Sequence, residues 1–192
     1  SAVGLAEAVR NLGKAVSVVV NAEDNLAIPL IDRINEMDEN AETLFITPDE
    51  AISEITPTSL LIIVDTHNQD IVESPELYQK AKQVVVIDHH RKMTNYIENA
   101  VIFHHEPYAS SASEMVTELV QYFGDAGKLS QYGAEALLSG IMLDTKSFVM
   151  RTGVRTFEAA AYLRKMGADT VAVRSLFANS MESYHEKTKL VA

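Results

Sequence analysis

The sequence contains no cysteine, which excludes disulfides and thiolate metal sites and fits a reducing compartment. A structural zinc centre loses its usual ligands with it. Basic residues are scarce as well: 16 Lys and Arg against 27 Asp and Glu leave a formal charge of -11. Such a surface repels polyanions, so long nucleic acid is not the expected partner. A small anionic substrate would need local positive charge, from metals or from a few well-placed Arg and Lys. Long hydrophobic runs are missing too, and the apolar stretch Leu60–Val64 is far too short to cross a bilayer. No signal peptide, internal repeat, low-complexity tract or Pro/Gly-rich linker is visible. A cytoplasmic location is the expectation.

What is present is an ordinary globular composition: 192 residues, 47% hydrophobic and 22% charged, enough to bury a core. Helical and strand patterns alternate along the first half. Ala2–Asn11 reads as a helix closed by Gly13, residues 16–20 as a β-branched strand, Ile28–Met37 as a helix with an apolar stripe, and residues 43–46 as a strand. A helix opens at Pro48 behind the cap Thr47. Leu60–Val64 and residues 84–87 are continuous apolar runs with a helical segment, 75–82, between them. Buried strands joined by helices require a parallel sheet, because each strand reaches the next by a crossover. The expected fold is therefore α/β, a parallel-rich sheet with helices on both faces.

After a short strand at 100–103 the chain turns helical. Helices are expected at 111–123, ended by Gly124, at Gln131–Asp144, and at 156–166, ended by Gly167, with a short one after Asp169. Residues 1–180 form the expected domain, and the polar stretch 181–192 reads as a linker.

Both buried runs end in residues that can carry chemistry. Leu60–Val64 leads into Asp65-Thr66-His67, and the run 84–87 leads into Asp88-His89-His90. Carboxyl ends of parallel strands line the ligand crevice of an open α/β sheet, so the two clusters should face one site. Asp65 and His89 could then share a metal; otherwise Asp65 caps its turn and one His is a hydrogen-bonded core residue. Asp144 closes an apolar helix, where a charge needs a metal or a partner such as Lys146. Carboxylates with an imidazole suit Mn or Mg, with Zn as an alternative.

Two further segments suit phosphate. Ser110 and Ser111 open a helix whose first N–H groups could hold an anion, although they could equally cap it, with Glu114 completing a capping box. Arg151-Thr152-Gly153-Val154-Arg155 places two guanidinium groups around a flexible Gly, and those arginines could instead pair with surplus acids.

Taken together, these stretches resemble the DHH phosphoesterase family, and within it the cyclic-di-AMP phosphodiesterases of the GdpP type. The resemblance covers essentially the whole chain. It rests on Val64-Asp65-Thr66-His67, on Val86-Ile87-Asp88-His89-His90-Arg91, on Glu106-Pro107-Tyr108-Ala109-Ser110-Ser111, and on Asp144-Thr145-Lys146-Ser147-Phe148 followed by Arg151-Thr152-Gly153-Val154-Arg155-Thr156-Phe157. It implies a two-metal phosphodiesterase, manganese-dependent with Mg2+ or Co2+ as substitutes, that hydrolyses cyclic-di-AMP to linear pApA. Asp65 would bridge two metals, His89 and Asp144 would ligate one of them, His90 would touch the scissile phosphate, and Asp88 would hold the imidazoles. Ser110, Ser111, Arg151, Thr152, Gly153 and Arg155 would hold phosphate or nucleotide.

Family members begin with a strand and a His-x-x-x-Asp-x-Asp segment and end with a DHH-associated domain, neither of which is seen here. By resemblance the chain is thus a fragment with little catalysis of its own, from a membrane-anchored parent that works on the cytoplasmic side, with homodimer formation open. The competing readings are a nucleotide-binding regulatory module that does not cleave its ligand, and a DHH pyrophosphatase or nanoRNA phosphatase.

Overall fold

The computed structural model describes residues 1–21, 27–37 and 44–176. The expected linker at 181–192 lies outside them. Five parallel strands and eight α-helices build an α/β fold in the described residues. Helix α1 (Ala2–Asn11) precedes β1 (Val18–Val19), α2 (Ile28–Met37) precedes β2 (Phe45–Ile46), and α3 (Pro48–Glu54) precedes β3 (Leu60–Val64). Then follow α4 (Pro75–Lys80), β4 (Gln83–Asp88), β5 (Ile102–His105), α5 (Ala112–Val120), α6 (Gln131–Asp144) and α7 (Val154–Lys165). A further helix covers residues 170–176.

The strands form two parallel sheets. β1 pairs with β2, while β4 lies between β3 and β5 with Val64 opposite Ile87 and Asp88 opposite His105. β4 is buried from Val84 to Asp88, which is why its sequence shows no polar alternation. Its side chains divide between two layers. Val85 and Ile87 pack with Leu137, Leu138 and Ile141 of α6 and Met115 and Val116 of α5, whereas Val84 and Val86 pack with Ile63, Val72 and Ile97 on the opposite face. A third cluster joins Val18 and Leu44 to Val3 and Ala6 of α1, Ile34 of α2 and Tyr132 of α6. The two sheets are not joined to each other by a ladder in the described residues. Between β1 and β3 lies a cavity of about 920 Å3, lined by Val18, Val19 and all five residues of β3, with Leu5 and Val9 of α1 at its side.

Several expected boundaries shift for local reasons. The strand expected at 16–20 pairs only at Val18–Val19, and the one expected at 100–103 runs Ile102–His105. The helix expected at 111–123 leaves α geometry after Val120 for a 3-10 segment, within which Gly124 takes φ 60°. α7 starts at Val154, two residues early, because Gly153 caps it and donates its N–H to Thr156 Oγ1 at 3.0 Å. Thr47 caps α3 in a full capping box with Glu50.

α6 is apolar around most of its circumference and buries ten of its fourteen residues. Its neighbours approach so closely that a Cβ on Gly140 would lie 2.0 Å from Ser113 Oγ, and one on Gly4 of α1 would lie 2.5 Å from Leu137. This packing fixes the carboxyl end of α6, and with it Asp144, against the ends of β3 and β4.

Candidate metal centre and substrate cleft

The parallel register of β3 and β4 brings their carboxyl ends side by side, and Asp65 N–H donates to the Ile87 carbonyl at 2.9 Å. Asp65 has φ 68°, a left-handed conformation that Asp tolerates better than most residues and that often marks a functional turn. Its Oδ1 lies 3.4 Å from His89 Nε2, and Asp144 Oδ2 reaches the same nitrogen at 3.5 Å. The far side of the ring faces the Ala109 carbonyl, 3.3 Å from Nδ1. A carbonyl only accepts, so in the neutral ring the proton sits on Nδ1 and leaves a lone pair on Nε2. That nitrogen is buried, has no hydrogen-bond partner, and points at two carboxylates.

Two carboxylates meeting at one imidazole nitrogen favour positive charge there, on the ring itself or on a metal ion. Burial pulls the His89 pKa down, but the neighbouring carboxylates of Asp65 and then Asp144 outweigh it, so the net shift is upward and, with no metal bound, favours the protonated ring. For Asp144 burial and then the Asp65 charge raise the pKa, in spite of the nearby histidines. The carboxylate thus needs positive charge to remain ionised. Lys146 makes no ion pair with it, which removes the simplest structural account of this partly buried acid. Two carboxylates and an imidazole are donors suited to a divalent ion, and the orphaned His89 nitrogen leaves a ligand position open for one.

Asp65, Asp88, His89 and His90 present ligand atoms all within 4.8 Å of one another, yet the oxygens of Asp88 are already engaged. Asp88 is fully buried, and its Oδ1 accepts from His89 N–H at 2.8 Å, His90 N–H at 3.2 Å and His90 Nδ1 at 2.8 Å. Its Oδ2 bonds His67 Nδ1. Burial pushes the Asp88 pKa up, but the hydrogen bonds from His67 and His90 more than offset it and hold the group ionised. Asp88 therefore orients the histidine pair and does not compete for a metal. His90, half-exposed, is left with Nε2 available to a ligand.

A cleft of about 810 Å3 opens beside this centre, lined by His89, His90, Arg91, Lys92, Met93, Pro107, Tyr108, Ala109, Arg151, Thr152 and Gly153. Arg151, Thr152 and Gly153 line the same cleft as His89 and His90. Arg151 sits at φ 54° in a loop where Lys146, Ser147 and Phe148 are also left-handed.

Ser110, Ser111 and Arg155 are placed differently, outside the cleft lining. Ser111 Oγ caps α5 by accepting from Glu114 N–H at 3.0 Å. The Glu114 carboxylate does not close a capping box. It accepts from Ser110 Oγ at 2.5 Å and from Thr156 Oγ1 at 2.6 Å, tying the serine loop to the start of α7. Arg155 is engaged by Glu118 and Glu106 at 2.7 and 2.8 Å, and these bonds, Glu118 first, raise its pKa further.

Sequence reasoning missed the tasks of His67 and Glu114. His67 is buried, and its Nε2 accepts from Met93 N–H at 3.0 Å while Nδ1 faces Asp88. The only signal in the sequence was its place two residues after Asp65, at the end of an apolar strand. His105, given no role by spacing, sits with its Nε2 2.6 Å from the His90 carbonyl.

Comparison with known proteins follows this geometry. Residues 1–141 match the profile described as DHH family, N-terminal domain. The chain is 44% identical over 195 aligned positions to the cyclic-di-AMP phosphodiesterase GdpP of Geobacillus thermodenitrificans, covering 100% of this chain and 29% of that protein. It is 47% identical over 147 positions to the protein of the same name from Bacillus subtilis, covering 77% of this chain and 22% of that one. The chain thus spans about a quarter of the length of the curated relatives it matches. An exopolyphosphatase-related protein from Bacteroides fragilis shares the fold with a TM-score of 0.69 at 22% identity, covering 92% of this chain and 51% of that one.

Proposed function

Since this chain belongs to the DHH family, we propose that it forms the metal-binding half of a hydrolase that cleaves a small nucleotide phosphodiester, converting cyclic-di-AMP to linear pApA in the whole protein. The observation that carries this reading is the buried His89 Nε2, unpartnered and aimed between Asp65 and Asp144. The names of the relatives supply the substrate, and the anionic surface speaks against a long polynucleotide.

Asp65, His89 and Asp144 would hold divalent ions, Mn2+ first, with Mg2+ or Co2+ as substitutes. When bound, such ions supply Lewis acidity toward a phosphoryl oxygen and acidify water. The chain's own residues orient the reaction. Asp88 fixes the His90 ring through Nδ1, which would leave Nε2 for the scissile phosphate. Arg151 adds a guanidinium where negative charge grows in the transition state. Thr152 and Gly153 shape the same wall, while Ser110, Ser111 and Arg155 support it through Glu114 and Glu118.

The three ligands make an open set, and the cavity between β1 and β3 would accept a further strand that brings others. On this reading the chain supplies part of a larger site, and alone it turns over slowly. The whole protein would be anchored in a membrane, with this domain on the cytoplasmic side; among the described residues no helix is long and apolar enough to cross a membrane.

Manganese-dependent hydrolysis of cyclic-di-AMP by this chain and by one extended at both ends tests the reading. Turnover confined to the extended chain and lost in Asp65→Ala is the expected result. Mn2+ binding to this chain, followed by calorimetry, should weaken at least tenfold in His89→Ala, independently of activity. Nucleotide bound by the extended chain but never cleaved would make the domain a regulatory module.

A further inference from the structure

The cleft has a side that the chemistry described so far leaves unused. Acids outnumber basic residues in this chain, and several of its cations are engaged by them. Arg33 bonds Glu135, Arg155 bonds Glu118 and Glu106, Lys80 pairs with Glu76, and Lys128 pairs with Asp125. Arg91 and Arg151, by contrast, have no carboxylate partner among the described residues, and both line the cleft beside His89 and His90.

Arg91 is not a loose surface arginine, because its backbone is tied on both sides. The carbonyl before it, that of His90, accepts from His105 Nε2 at 2.6 Å, and Met93 N–H behind it donates to the buried His67 at 3.0 Å. Lys92 lies over the Tyr96 ring, 3.8 Å from its centroid, so it is Arg91 that this segment offers to an anion. Tyr108, which lines the same cleft, is 99% exposed. Its turn is closed by Ala109 N–H to the Glu106 carbonyl at 3.0 Å, and the Ala109 carbonyl faces His89 Nδ1. A ring held in water on a pinned turn contributes nothing to the core, but it offers a flat face to a planar ligand.

We propose that Arg91 and Tyr108 form a subsite for the non-reacting half of a dinucleotide, the guanidinium on the second phosphate and the phenol ring stacked on a base. This deepens the phosphodiesterase reading and rests on it. A single phosphate or pyrophosphate at the metal centre has no base for Tyr108 to stack and no second nucleotide to reach Arg91. A cleft of about 810 Å3 also falls within the range of roughly 300–1,000 Å3 that holds ligands of nucleotide size. The subsite therefore acts in specificity, separating dinucleotides from smaller phosphate esters.

Steady-state kinetics of the full-length protein that contains this chain test the subsite. The substrates are cyclic-di-AMP and methyl p-nitrophenyl phosphate, a diester with neither a base nor a second phosphate. Tyr108→Ala and Arg91→Gln should each raise KM for cyclic-di-AMP about tenfold with kcat nearly unchanged, the size expected for a lost base stack. Tyr108→Phe should restore the wild-type value, and kcat/KM for the small diester should stay within about twofold in all three variants. An unchanged KM for cyclic-di-AMP, or an equal loss on both substrates, overturns the proposal. Failure of the phosphodiesterase reading is visible separately, in a wild-type protein that does not cleave the dinucleotide. If it binds without cleaving, the same variants are scored by equilibrium Kd for labelled cyclic-di-AMP, with the same tenfold expectation. Since Tyr108 is exposed, its variants should melt at the wild-type temperature.

Discussion

Glu135 is a carboxylate inside an apolar helix, 1% exposed, and it persists there because three groups donate to it. Arg33 Nε lies 2.8 Å away, Gln131 Nε2 2.9 Å and Asp169 N–H 3.3 Å. Burial raises the Glu135 pKa, but these bonds more than offset it, so the folded value lies below the ordinary one. A carboxylate depressed in this way stabilises the fold above the unfolded pKa of about 4.3, and that stabilisation is lost as pH falls through the folded pKa. Arg33→Met should cost about 1.5–3 kcal/mol at pH 7, the usual worth of a charge-assisted bond. In urea unfolding the deficit should shrink at pH 3.5; a deficit of the same size at both values would show that the arginine acts through packing instead. At this scale the sequence was readable where a residue's surroundings are local. Asp65 and His89 follow apolar strands, so their nearness follows from the parallel register of β3 and β4, whereas the approach of Asp144 depends on how α6 packs. The bonds of Glu114 to Thr156, of Arg155 to Glu118 and of His67 to Asp88 span 21 to 42 positions, and no local pattern encodes them.

Among the elements, α6 transmits packing to the centre, since it is held at Gly140 by α5 and carries Asp144 one turn later. Ala is a better helix former than Gly by about 1 kcal/mol, so Gly140→Ala would stabilise a free helix. Here the added methyl meets Ser113 at 2.0 Å and 2.9 Å, and α6 must move. Net destabilisation of about 1–3 kcal/mol is expected, together with weaker Mn2+ binding as Asp144 shifts from His89. Melting and calorimetry on the same sample check both; a stabilised variant with normal metal affinity would mean that α5 yields and α6 does not. The continuous apolar runs made β3 and β4 legible as buried parallel strands. Boundaries elsewhere were not, because β1 keeps only the two residues that meet β2, and α5 ends where a 3-10 segment begins, short of Gly124.

For the molecule as a whole, the α/β class and its parallel strands were plain from the alternation of patterns, but the division into two sheets was not. Apolar composition shows that a strand is buried without showing whether both its edges are paired. Edges left open in this way are places where another strand can add. Extending the chain by an apolar strand that occupies the cavity should raise the melting temperature by several degrees, roughly what 1 kcal/mol or more gives a domain of this size. No change in melting would mean that the two sheets close without it.

The open edge of β3 also sets a pattern in time. Asp65 N–H is given to Ile87, and alternate residues of a parallel strand serve opposite neighbours, so Ile63 faces β4 while Ile62 and Val64 turn their N–H groups toward the cavity. In heavy water this one strand should therefore keep two clocks. The amide of Ile63 should hold its proton until the sheet opens, and those on either side of it should exchange as soon as solvent enters the gap.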